Sequence, residues 1–165
     1  MLADMTDTLT RAERSRLMSK IRGKNTGPER AVRSLLHRAG YRFRIHVRDL
    51  PGKPDVVLPK YRTVVFVHGC FWHRHRGCKI ATMPHSHVEF WAEKFRRNVA
   101  NDARHRRKLR RLGWQVVVVW SCRLKQPDRV LAKIEKALKP RRATCRRAQP
   151  MRLPLVAEPR PAYGK

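Results

Sequence analysis

Residues 68–78 read "HGCFWHRHRGC", so His68, Cys70, His73, His75 and Cys78 stand almost in alternation, with Phe71 and Trp72 among them. Thiolate and imidazole are the ligands that zinc takes in tetrahedral sets of four. Cys70, His75 and Cys78 offer three such groups, and Cys122, directly after the apolar run "VVVVWS", offers a fourth from a distant part of the chain. A loop tied to a neighbouring strand in this way can present Phe71 and Trp72 at low entropic cost. Spacing alone leaves alternatives. His68 or His73 could replace His75, Cys122 could be a small core residue, and Cys-x4-His-x2-Cys is not a standard finger spacing. Cys145 lies in a basic tail and makes a poor ligand.

A second chemistry starts from Asp55, which follows the turn "PGKP". If strands in "PGKPDVVL" and "YRTVVFVHG" are adjacent and joined by a tight turn, Asp55 comes near Val67 and His68. A carboxylate beside a backbone carbonyl can hold a hard cation such as Mg²⁺. Such a cation polarises a phosphodiester and acidifies an attacking water. His68 and His73 would then stand close enough to move protons or steady developing charge. The plainer reading pairs Asp55 with one of the many arginines.

Positioning these groups requires a scaffold, and hydrophobic periodicity supplies one. Thr10 and Glu13 form a capping-box pattern for a short basic helix, "TRAERSRLMSKI". In "TGPERAVRSLLHRAG", Ala31, Val32, Leu35, Leu36 and Ala39 fall on one helical face, with Pro28 at the start and Gly40 at the end. The period then changes to two: "YRFRIHV" predicts a half-buried strand, followed by strands in "PGKPDVVL" and "YRTVVFVHG". Residues 79–87 read as loop, 88–112 as a long basic helix stopped by Gly113, "WQVVVVW" as a buried strand and "PDRVLAKIEKALK" as a last helix. The expected order is α-α-β-β-β-α-β-α, an α/β fold with a mixed sheet flanked by helices.

Forty Lys and Arg against twelve Asp and Glu give a formal charge of +28, which points to a polyanion, nucleic acid first, as partner. The last 26 residues hold five prolines and seven Lys or Arg, so 140–165 reads as a disordered basic tail; the rest keeps +22 without it. Residues 1–27 then form an N-terminal arm and 28–139 the domain proper. Neither an export signal nor a membrane span is expected, the longest apolar runs being of strand length. A cytoplasmic, nucleoid-associated protein follows, monomeric because no symmetric interface is suggested.

The segments "LPGKPDVVLPKYRTVVFVHGCFWHRHRGC", "EFWAEKFRRNVANDARH" and "LGWQVVVVWSC" together resemble the very short patch repair endonucleases, over roughly residues 10–138. The resemblance implies a restriction-endonuclease-like core with a structural zinc. It implies Mg²⁺-dependent nicking of duplex DNA 5′ to the T of a T:G mismatch left by deamination of 5-methylcytosine. It makes Asp55 the Mg²⁺ carboxylate, Val67 a ligand through its carbonyl, His68 and His73 the catalytic histidines, and Glu29 a supporting carboxylate. Zinc falls to Cys70, His75, Cys78 and Cys122. Phe71, Trp72 and Trp91 become wedges beside the mismatch, Met18 and its arm brace the opposite groove, and mismatch-repair proteins become candidate partners. Val67 stands where the family commonly has Thr, so any role of a hydroxyl there is lost. Trp91 could instead be ordinary core. Lys94 and Asn98, one turn apart on the long helix, could reach base edges together. The rival reading is a zinc-stabilised DNA-binding protein without cleavage activity.

Overall fold

The computed structural model describes residues 23–139 together with Ala12, Glu13 and Arg16. Met18, most of the N-terminal arm, and the tail from 140 with Cys145 lie outside the described residues. The first complete element is α1, Gly27–Arg38. Its start is fixed by a reciprocal cap. Thr26 Oγ1 accepts from the Glu29 N–H and donates to Glu29 Oε1 at 2.8 Å, while the Asn25 N–H donates to Glu29 Oε2 at 2.9 Å. Val32, Leu35 and Leu36 turn inward, whereas Ala31 and Ala39 stay exposed.

Three strands make one mixed sheet in the order β1-β2-β3. β1 (Val56–Leu58) runs antiparallel to β2 (Thr63–His68), with Val57 opposite Val64; β2 runs parallel to β3 (Gln115–Trp120), with His68 opposite Trp120. The long helix α2 (Val88–Arg111) connects the two parallel strands, and α3 (Pro127–Leu138) closes the fold. Because a strand alternates its side chains, the sheet has two apolar faces. Val56, Leu58, Val65, Val117 and Val119 pack with α1 and α3 through Val32, Leu36 and Ile134. Val57, Val64 and Phe66 pack on the other side with Leu50 and Leu109. Burial on both faces is why "TVVFV" reads as a continuous apolar run. Each fully buried Leu or Ile contributes about 1.5–3 kcal/mol, so truncating Leu36 or Ile134 to Ala should cost roughly 2–5 kcal/mol.

The expected strand over Tyr41–Val47 does not form. A single antiparallel bridge, Arg44 to Val57, replaces it. His46 adopts a left-handed φ of 57°, which ends any extended run, and Ile45 is left 41% exposed. The described elements therefore run α-β-β-α-β-α.

The parallel pair β2 and β3 brings their carboxyl ends, His68 and Trp120, side by side, where ligands of α/β sheets are usually taken. Asp55 sits just before β1. The turn preceding it carries Gly52 at φ 77°, and a Cβ there would meet the His105 Cβ at 2.8 Å and its ring at 2.9 Å, so this turn packs against α2 with no room for a side chain.

Candidate functional site

Asp55 is fixed by the sheet itself. Its N–H donates to the Val65 carbonyl at 3.1 Å, and its Oδ2 accepts from the Val67 N–H at 2.7 Å. Its other carboxylate oxygen accepts no hydrogen bond among the described residues. Burial pushes the Asp55 carboxyl up to about 6, with neighbouring Glu29 adding to the rise; the Val67 N–H, Arg33 and His73 hold it back. A half-satisfied carboxylate that resists ionisation beside a second acid suits a hard cation. Glu29 itself is buried and held by its cap and by Arg33 Nη2 at 2.9 Å.

His68 and His73 stack on one another, ring centroids 3.9 Å apart and planes 14° from parallel. Behind them stands Asp102 of α2. Its Oδ2 lies 2.6 Å from His73 Nδ1 and 3.8 Å from His68 Nδ1, a hydrogen bond to the first and only a charge contact to the second. Burial alone would raise Asp102; the His73 hydrogen bond, both imidazoles and Arg106 outweigh it and bring the carboxyl below its ordinary value. An ionised Asp102 accepting from Nδ1–H fixes the His73 tautomer and leaves Nε2 as a base. Burial, reinforced by His73, pulls His68 down to about 4, so this ring stays neutral at pH 7.

Asp55, Val67, His68, His73, Asp102 and Glu29 all line one cleft of about 1010 Å³. Asp102 was not a sequence-level candidate, because an acid in so basic a helix reads as charge balance. The signal lay in spacing: Trp91, Phe95, Asn98, Asp102 and Leu109 follow the inward stripe of α2, where two polar residues interrupt apolar ones.

The second cluster lies past Trp120. Ligand atoms of Cys70, His75, Cys78 and Cys122 all fall within 4.8 Å of one another, with His75 Nδ1 at 3.7 Å from Cys70 Sγ and 3.3 Å from Cys122 Sγ. Ligands on a tetrahedral zinc stand about 3.5–3.8 Å apart, so the set fits that ion. Burial and the thiols of Cys70 and Cys78 push Cys122 up to about 11, hence three thiolates need a cation to coexist here. The loop is wound by His73 N–H to Gly69 carbonyl, His75 N–H to Cys70 carbonyl and Cys78 N–H to His75 carbonyl, each 3.1 Å. The Cys70 N–H adds a bond to Ser121 Oγ at 3.4 Å. Trp120 partitions the two sites, stacking on His75 at 4.3 Å and meeting His68 edge-on at 5.4 Å.

The aromatics pack on each other. Phe71 touches Trp72, Trp91 and Phe95 with centroids 5.0–5.5 Å apart. Trp91 is buried, Phe71 and Trp72 are half-buried, and Phe90, unremarked in the sequence, is the outermost at 58% exposure. Lys94 Nζ lies 5.4 Å from the Trp72 and Trp91 ring centres, a cation–π arrangement. The Asn98 amide donates to the Trp72 carbonyl at 3.0 Å, so it faces the loop. No described helix is long and apolar enough to cross a membrane.

Comparison with known proteins converges on one family. A family model described as DNA mismatch endonuclease Vsr matches residues 6–79. The chain is 50% identical over 136 residues to the type II nicking enzyme V.XorIIP of Xanthomonas oryzae pv. oryzae, covering 82% of this chain and 99% of that one. It is 46% identical to the type II nicking enzyme V.NmeAIP of Neisseria meningitidis serogroup A, over 73% of this chain and 86% of the relative. With the DNA mismatch endonuclease Vsr of Escherichia coli K12 it shares 41% identity, over 76% of this chain and 80% of that protein. Identity at this level along nearly the whole of a relative leaves one conclusion: the chain belongs to the Vsr family of DNA mismatch endonucleases.

Proposed function

We propose that this protein nicks duplex DNA 5′ to the T of a T:G mismatch left by 5-methylcytosine deamination, by Mg²⁺-dependent hydrolysis of one phosphodiester bond. The observation that carries the reading is the convergence of Asp55, His68, His73 and Asp102 on one cleft in a Vsr-family chain. Asp55, with the Val67 carbonyl, is the proposed Mg²⁺ holder, and Glu29 supports it. Bound there, the ion supplies positive charge to the phosphate oxygens and a more acidic water.

The chain's own groups do the rest. Asp102 holds His73 so that its Nε2 can take or return a proton at the reacting phosphate. His68, neutral through burial, offers a hydrogen bond rather than a charge. Cys70, His75, Cys78 and Cys122 hold zinc, which pins the loop between the two sites. On that loop Phe71 and Trp72, backed by Trp91, open the base step. Unstacking costs a few kcal/mol, less at a mismatch, and stacking on an aromatic returns about 1–3 kcal/mol per base. Lys94 is proposed to reach a base edge, Asn98 being turned instead to the Trp72 carbonyl, and Met18 with the arm of residues 1–27 to brace the opposite groove. Residues 28–139 form the restriction-endonuclease-like catalytic domain, 140–165 a basic tail, and the protein acts as a nucleoid-associated monomer alongside repair proteins.

A nicking assay tests this reading. Duplexes with T:G or T:A are incubated with Mg²⁺ or EDTA, and the expected product is a single nick in T:G with Mg²⁺ alone. Binding without any nick would make the protein a zinc-stabilised DNA binder; equal cutting of T:A would remove the mismatch dependence.

A further inference from the structure

Arg33 stands one turn beyond Glu29 on α1 and lines the same cleft as Asp55. Two of its nitrogens are tied down, Nη1 to Asn25 Oδ1 at 2.6 Å and Nη2 to Glu29 Oε2 at 2.9 Å. The third, Nε, is buried without any acceptor from the protein, and among the described residues no other buried side-chain nitrogen or oxygen is left so. Buried donors without partners are costly, and arginine pairs best with oxyanions. Two tethers hold the guanidinium plane still, so a partner for the remaining N–H must come to it rather than the reverse. Lys24, Arg48, Lys53 and Arg106 line the same cleft and make it a place for an anion.

We propose that Arg33 grips a phosphate of the cut strand through its Nε–H, at the scissile bond or the phosphate next to it. The inference rests on DNA being the substrate of this cleft. Proximity to the reaction follows from Asp55 and Glu29: Arg33 bonds one and is near enough to the other to offset part of the rise that burial imposes on it. The grip positions the strand, and it carries no base information.

The test is a coupling measurement on the full-length protein in EDTA. Each phosphate of the T-bearing strand in a T:G duplex is replaced, one at a time, by an uncharged methylphosphonate, and affinity is measured for the wild type, Arg33→Met and Arg33→Lys. The wild type should lose about tenfold at one position beside the cut, the loss expected for a charge-assisted hydrogen bond. Arg33→Met should bind the unmodified duplex about tenfold more weakly and lose nothing further at that one position. Arg33→Lys should keep most of the salt dependence but only part of the positional loss, since a lysine brings charge without a fixed plane. If Arg33→Met shows the wild-type profile at every phosphate, or the coupled phosphate lies several nucleotides from the cut, the proposal is wrong. Misfolding would lower affinity equally at all positions without removing the positional loss, which also counts against it. Failure of the wild type to bind the duplex at all would sink the reading of the cleft as a DNA site, a distinguishable result.

Discussion

His68 and His73 alternate in the chain with Cys70, His75 and Cys78, yet the fold sorts the two sets into separate clusters, with Trp120 in contact with both. One set is sulfur-rich, its four ligand atoms within 4.8 Å of one another, as many as a closed tetrahedral site takes. The other is nitrogen and oxygen on the wall of a large cleft, with a carboxylate oxygen to spare. Closed sets of soft ligands hold folds together, whereas open sets of hard ligands serve chemistry. Residues 68–78 contribute to both, and the turns closed by the hydrogen bonds Gly69–His73, Cys70–His75 and His75–Cys78 separate the two sets. A metal in the first set would fix the loop that carries His73 of the second.

Four experiments break or sharpen that contrast. Cys122→Ser should have the largest effect, since it removes a ligand from the set that holds the loop. Zinc content should fall and Tm should drop by roughly 10 °C or more, with nicking lost as a consequence. A variant with normal Tm and no zinc would mean that the cluster does not brace the fold. Asp102→Asn should leave zinc and Tm unchanged but lower the nicking rate about 100-fold by freeing the His73 tautomer. A rate within about threefold of wild type would reduce Asp102 to packing. The third concerns protons. Because burial places Asp55 at about 6, protons compete with Mg²⁺ below that pH. Apparent Mg²⁺ affinity should fall about tenfold per pH unit below 6 and level off above 7. A flat profile from pH 5 to 8 would assign the ion to another group. Trp72→Ala should act most mildly, cutting preference for T:G over T:A about five- to tenfold with a smaller change in total affinity. Unchanged preference would place the wedge elsewhere.

Much of the scaffold was legible from the chain because burial on two faces leaves strong patterns. Val32, Leu35 and Leu36 in α1, the run Val64–Val67 in β2 and Val116–Val119 in β3 are each hydrophobic with the period their element needs. The segment 41–47 shows the limit. Its alternation of Tyr41, Phe43, Ile45 and Val47 is what a strand requires, but a left-handed His46 is a backbone event that side-chain pattern does not record. For the site, thiols and imidazoles are few enough to be grouped by inspection. Trp120 and Asp102 were not, since a partition and an orienting carboxylate are roles conferred by neighbours from distant elements. The inward stripe of α2 held the only clue to Asp102, and Asn98 on the same stripe turned out to hold the Trp72 carbonyl.

The most direct test replaces the spare carboxylate oxygen by an NH2 group and removes the charge, while keeping an oxygen for the Val67 N–H. Asp55→Asn is measured for zinc content, T:G duplex affinity and single-turnover nicking in one preparation. Zinc at the wild-type level, affinity within a few-fold, and nicking slowed at least about 1,000-fold would establish that the two sets are chemically separate and that the cleft cuts. Nicking near the wild-type rate, or zinc lost together with activity, would contradict it.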